Sequence, residues 1–198
     1  MLVVNTNELI RVLTPLVEAF EDLQISYYIG GSVVSSVYGE LRNTFDIDVV
    51  ADIQIKHVVS LVKRLESEYY IDADMIRDAI HHQSSFNLIY LASMFKVDVF
   101  LPKPRPFTQQ ERLRARKAVI EEGTRSFYLS SPEDIILNKL EWYKMGNEIS
   151  NRQWNDIIGV MRRQSKTLDL AYLQHWAVEL NVLKLLERAL AETSINEN

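Results

Sequence analysis

The chain of 198 residues contains no cysteine, which removes disulfides, thiolate metal sites and cysteine nucleophiles together and fits a reducing cytosol. No apolar run approaches the length of a membrane span, and the N-terminus lacks the basic and then apolar blocks of a signal peptide. A cytoplasmic protein with no membrane partner is therefore expected. Positive charge is also in short supply: 22 Lys and Arg face 27 Asp and Glu, and the net charge of −5 argues against a broadly cationic surface that would coat nucleic acid. A local basic patch remains compatible with it. Internal repeats and low-complexity segments are missing too, and the tail SINEN reads as frayed. What is present, 47% hydrophobic and 25% charged residues, suffices for a full core in one domain, or in one domain with a small appendage.

Residues 27–50, YYIGGSVVSSVYGELRNTFDIDVV, carry the densest chemistry. They read as a short apolar strand ending in Gly30, Gly31 and Ser32, an uncharged helix from Val33 to Tyr38 stopped by Gly39, and a second strand holding Asp46 and Asp48. Two aspartates two apart on a strand leave the same face and converge on one hard cation. A glycine pair at a helix start offers backbone N–H groups and the positive end of the helix dipole, which suits phosphate. Arg42 precedes the acidic strand, where a guanidinium suits phosphate or simply decorates a surface loop.

Before this stretch, the spacing of Leu9, Ile10, Leu13, Leu16, Val17 and Phe20 predicts an amphipathic helix over 6–23, with Pro15 as a candidate kink. After it, a helix is predicted over 56–69, a short helix over 74–82, and strands over 84–92 and 95–101. In FKVDVFL, Lys96, Asp98 and Phe100 share one face and Asp98 stands among apolar positions, so its charge needs a partner: a cation site or a salt bridge to Lys96 or Arg77. A proline-rich cationic connector, an Arg-rich helix and two short strands lead to Ser131, Pro132, Glu133 and Asp134, a good helix start. The cluster of Arg112, Arg114, Arg116 and Lys117 reads as a solvated face or a phosphate contact. Four helices follow almost to the end. This shift near Ser130 divides the chain into an α/β half, 1–130, and a helical half, 131–198. His81 and His82 are adjacent and so point about 100° apart on a helix, a poor geometry for one metal. Trp142, Tyr143, Trp154 and Trp176 read as core aromatics, with base stacking by Trp142 or Tyr143 as the alternative.

Asp46, Asp48 and Asp98 supply oxygen donors alone, a set that suits Mg²⁺ or Mn²⁺ bound to substrate phosphates rather than Zn²⁺. The order of GGS, a DID strand whose first aspartate lies fourteen positions after Ser32, and a later VDVF aspartate resembles the polymerase-β-type nucleotidyltransferase superfamily. Lys139 in SPEDIILNKLEW and Asp156 in RQWNDIIGV also resemble the abortive-infection AbiEii-type toxin branch. The resemblance spans Tyr27 to about Val160. It implies an α+β fold, a nucleotidyltransferase-type mixed sheet flanked by helices with a C-terminal helical bundle, and metal-dependent transfer of an NMP from an NTP to a hydroxyl of tRNA, protein or a small molecule. It further implies metal and catalytic roles for Asp46, Asp48 and Asp98, phosphate contacts from Gly30, Gly31, Ser32 and Arg42, a triphosphate contact from Lys139, and an orienting role for Asp156. A toxin-like role with an antitoxin partner follows from the branch alone. Read without the resemblance, Lys139 pairs with Glu141 or Asp134, and Asp156 is a solvated helix residue. The competing functional class is a non-catalytic nucleotide-binding or interaction module on the same fold, and a third is a structural domain whose aspartates are salt-bridged.

Overall fold

The computed structural model describes residues 6–40, 44 and 46–193. Along the chain it forms α1 (Thr6–Asp22), β1 (Tyr27–Ile29), α2 (Gly31–Tyr38), β2 (Asp46–Ala51), a 3₁₀ turn (Ile55–His57), α3 (Val58–Leu65), β3 (Tyr69–Tyr70), α4 (Ala73–His82), β4 (Ser85–Tyr90) and β5 (Phe95–Phe100). Then come α5 (Pro106–Arg114), β6 (Arg116–Val119), β7 (Ser126–Leu129), α6 (Pro132–Met145), α7 (Asn151–Gln164), α8 (Leu170–Glu179) and α9 (Leu183–Thr193). Among the described residues no helix is long and apolar enough to cross a membrane.

The fold is α+β, with a mixed sheet of seven strands in the order β3-β4-β5-β2-β1-β7-β6. β2 runs parallel to β5, and β1 parallel to β7, while the other neighbours are antiparallel. The chain separates into two compact units: one of residues Met1–Gly30 and Asn43–Leu129, the other of Gly31–Arg42 and Ser130–Asn198.

The first unit holds the sheet. Alternation along β2 and β5 buries Ile47, Val49, Val97 and Val99 completely and leaves Asp46, Asp48, Val50 and Asp98 half-exposed on the other face. Phe20 of α1 stacks at 5.8 Å on Tyr27 of β1, and Leu13, Leu16 and Leu61 are fully buried in the same unit. α1 runs unbroken through Pro15. The helix predicted over 56–69 ends at Leu65, because Tyr69 is drawn into strand pairing: it lies opposite Tyr90, packs on that ring at 5.3 Å, and donates its hydroxyl to the Val12 carbonyl. Such a long-range aromatic anchor overrides local periodicity.

The second unit is helical. Ser131 caps α6 by accepting the Asp134 N–H at 3.1 Å, Pro132 takes the first turn, and the buried Asp134 carboxylate accepts the Ser131 and Tyr172 hydroxyls at 2.6 and 2.7 Å. Ser150 and Asp169 cap α7 and α8 in the same way. α2 packs against α6 and α7, and Gln164 and Arg163 reach back from α7 to the carbonyls of Tyr38 and Gly39 at 3.0 and 3.2 Å.

Candidate active site

Pairing between β2 and β5 sets Asp48 directly opposite Asp98, and Asp46 opposite Lys96. All four side chains leave one face of the sheet, and neighbouring strands lie about 4.8 Å apart. Like charges directly opposite each other destabilise a sheet unless something positive compensates. Part of that compensation is Lys96, whose ammonium lies 2.9 Å from Asp98 Oδ2. Its hydrogen bond to Asp98 holds the Lys96 pKa above the ordinary lysine range, against some desolvation, and the charges of Asp98, Asp46 and Asp48 add to the effect. The salt bridge expected as one alternative for Asp98 is therefore present, with Lys96 rather than Arg77, which pairs with Asp74. Thr44, a buried residue just before the strand, places its hydroxyl 3.0 Å from both the carbonyl and Oδ1 of Asp46. Nothing in its sequence neighbourhood marks Thr44 as an orienting group, because the contact depends on the turn into β2.

The Gly30 N–H donates to the Asp48 carbonyl at 2.9 Å, and α2 begins at the next residue. Gly31 has φ of +59°, a left-handed conformation that a side chain would strain, so glycine is needed there to turn from strand to helix. The Ser32 carbonyl accepts the Ser35 and Ser36 hydroxyls at 3.1 and 3.0 Å. Arg42 lies outside the described residues.

In the helical unit, Lys139 of α6 donates to Asp156 Oδ2 of α7 at 2.8 Å, with side chains 10% and 7% exposed. Asp156 is thus an ion-pair partner of this lysine, from a helix that the spacing around Lys139 does not point to. Tyr143 is buried and stacks at 5.2 Å on Trp154, whose ring also carries the Arg188 guanidinium at 3.9 Å. These rings are core, while Trp142 is exposed.

A cleft of about 250 Å³ in the sheet unit is lined by Tyr28, Val50, Asp52, Lys103, Thr108 and Arg112 among others. The cleft lies at the Tyr27 end of β1 and the Ala51 end of β2, and Asp46, Asp48 and Asp98 are not part of its lining. Its residues come from two strands, the proline-rich connector and α5, a combination that linear spacing does not reveal.

No protein-family model and no curated protein matches this chain. Solved structures do. An antigenic nucleotidyltransferase-like protein from Paracoccidioides brasiliensis is similar with a TM-score of 0.55 at 19% identity, covering 90% of this chain and 93% of its own. The antibiotic-resistance factor ANT(2″)-Ia is similar in its complex with adenylyl-2″-tobramycin, with a TM-score of 0.57 at 12% identity over 87% and 96% of the two chains. Its solution structure gives 0.52 at 15% identity over 93% and 94%. The chain has a nucleotidyltransferase fold. At these identities the likeness is one of fold, and the chemistry has to be argued from the residues in place.

For a divalent cation, the nucleotidyltransferase sheet presents the right donors: three carboxylates from two adjacent strands, all hard oxygens. Among the described residues, no three acidic or histidine side chains are already gathered as a metal-holding group. The backbone placement fits a divalent ion, and the Asp98 carboxylate is turned to Lys96.

Proposed function

We propose that the chain is a metal-dependent nucleotidyltransferase, moving a nucleoside monophosphate from an NTP to a hydroxyl acceptor. The observation that carries this reading is the facing pair Asp48 and Asp98 with Asp46 on the same face, an arrangement of like charges that calls for a cation. Asp46, Asp48 and Asp98 would hold Mg²⁺ or Mn²⁺. Such an ion, when bound, neutralises phosphate charge and aligns the reacting groups. Thr44 holds the Asp46 carboxylate in orientation. Asp98 takes the proton of the acceptor hydroxyl as that oxygen bonds to the α-phosphorus and the bond to pyrophosphate breaks. Gly30, Gly31 and Ser32 offer the start of α2 to phosphate, and Arg42 adds a guanidinium. The resemblance assigns Lys139 to the triphosphate and Asp156, its ion-pair partner, to an orienting role.

The acceptor is a tRNA end, a protein side chain or a small molecule. The net charge of −5 lowers the case for RNA, whose affinity rests on phosphate neutralisation. A cytoplasmic setting fits the cysteine-free composition. The AbiEii-like assignment, with a toxin-like role and an antitoxin partner, rests on Lys139 and Asp156 alone. A non-catalytic nucleotide-binding module is the second reading, favoured by the Lys96–Asp98 pair, which already compensates one carboxylate.

Incubation with ATP, CTP, GTP and UTP labelled at the α-phosphate, against total tRNA and cell lysate, tests the proposal. Label is expected to reach an acceptor with one NTP, and Asp48→Ala is expected to abolish transfer while the protein stays folded. Transfer that survives Asp48→Ala, or no transfer from any NTP, would overturn it.

A further inference from the structure

We propose that Lys96 is a resident cation of the carboxylate face that competes with a divalent ion for Asp98. This rests on the metal-dependent reading above. Four observations in the sheet unit converge on it. Lys96 and the three aspartates share one sheet face, with Lys96 directly opposite Asp46 and two positions from Asp98 on the same strand. Its ammonium is bonded to Asp98 Oδ2 at 2.9 Å, so one of the third carboxylate's oxygens is already engaged. No metal-holding trio has gathered among the described residues. Finally, the Lys96 side chain is 48% exposed against 19% for Asp98, so water stands ready to solvate the ammonium once it leaves.

The physical consequence is a competition. An ammonium and a divalent cation seek the same oxygens, and two positive centres within a few ångströms repel. In the metal-free state Lys96 offsets the repulsion between the facing aspartates, which stabilises the sheet but raises the concentration of metal needed to occupy it. Half-exposed ion pairs are weak, so the exchange is easy and reversible. Lys96 is thus a specificity-determining residue for occupancy: it disfavours weakly held ions and yields to an ion that arrives with the charge and the phosphate ligands to replace it.

The test is Mn²⁺ binding to the full chain, followed by the loss of the free-ion electron paramagnetic resonance signal, in the wild type and in Lys96→Met, Lys96→Arg and Asp48→Asn. Lys96→Met should bind Mn²⁺ about tenfold more tightly than the wild type, since a repelling charge and a competing bond are both gone. Lys96→Arg keeps the charge and should stay within about twofold of the wild type. Equal or weaker binding by Lys96→Met, with Asp48→Asn still losing the ion, would overturn the role of Lys96 and leave the metal site standing. Binding unaffected by Asp48→Asn, or absent from every variant, would instead overturn the metal-dependent reading on which the proposal rests.

Discussion

Two lysine–aspartate pairs of nearly equal length, one in each unit, have opposite characters. Lys139–Asp156 closes at 2.8 Å between α6 and α7 with both side chains almost wholly covered; Lys96–Asp98 closes at 2.9 Å on the open face of the sheet, with the lysine half in water. Coulombic attraction at equal distance is weaker where water screens it, and the desolvation already spent on a buried pair is lost if one partner goes. The buried pair is therefore a lock between two helices, and the exposed pair a contact that can be exchanged. Bond length alone does not tell structure from function; burial and the surrounding charges do.

The largest effect that would break this comparison is at the buried pair. Asp156→Ala removes the carboxylate of a nearly buried ion pair and is expected to cost roughly 3–5 kcal/mol in urea unfolding, while the double variant Lys139→Met/Asp156→Leu recovers most of the loss. A cost below about 1 kcal/mol for Asp156→Ala would make the two pairs alike. Next comes Gly39→Ala, which sharpens the contrast by probing how tightly α2 is packed in the helical unit. Its Cβ would meet the Ser35 carbonyl oxygen at 2.8 Å and the Val160 nitrogen at 2.9 Å, both backbone atoms that yield little. A loss of about 2 kcal/mol is expected in the same measurement, and a neutral Gly39→Ala would show that α2 is not wedged there.

On the sheet face the changes should be small in stability and large in binding. Asp48→Asn keeps the volume of a half-exposed side chain and removes one of two facing like charges, so the metal-free protein should stay folded with a melting temperature near that of the wild type, and a large drop would mark Asp48 as a structural residue. The smallest effect belongs to His57, whose Nδ1 accepts the Gln54 N–H at 3.1 Å. Burial, and then the charge of Lys56, lower its pKa from 6.5. Because the folded value is the lower one, its stabilisation is present above pH 6.5 and is lost as pH falls through the folded value. Melting curves at pH 7 and pH 5 should show a slightly steeper acid-side loss for wild type than for His57→Gln; the opposite order would contradict the sign.

Much of the chemistry was legible because it is local. The period-two pattern of DIDVV and FKVDVF placed Asp46, Asp48 and Asp98 on strands with their apolar neighbours behind them, and the structure keeps that alternation. The cap at Ser131 and the turn at Gly31 were readable for the same reason, since each is decided within a few residues. Tyr69 was not, because its strand character comes from Tyr90 and Val12, far away in sequence. Nor was the pairing of Lys139 with Asp156, which comes from the packing of α6 on α7.

By itself, then, the order of residues determined that three carboxylates would stand on strand faces behind a glycine–serine turn, because side-chain direction in a strand is a matter of counting by two. Only the tertiary structure decided that Asp48 faces Asp98 across a parallel pair, that Lys96 stands between the acids as their cation, and that Lys139 is locked to Asp156. Register and helix packing are set by the burial of a whole core, and no local pattern carries that information.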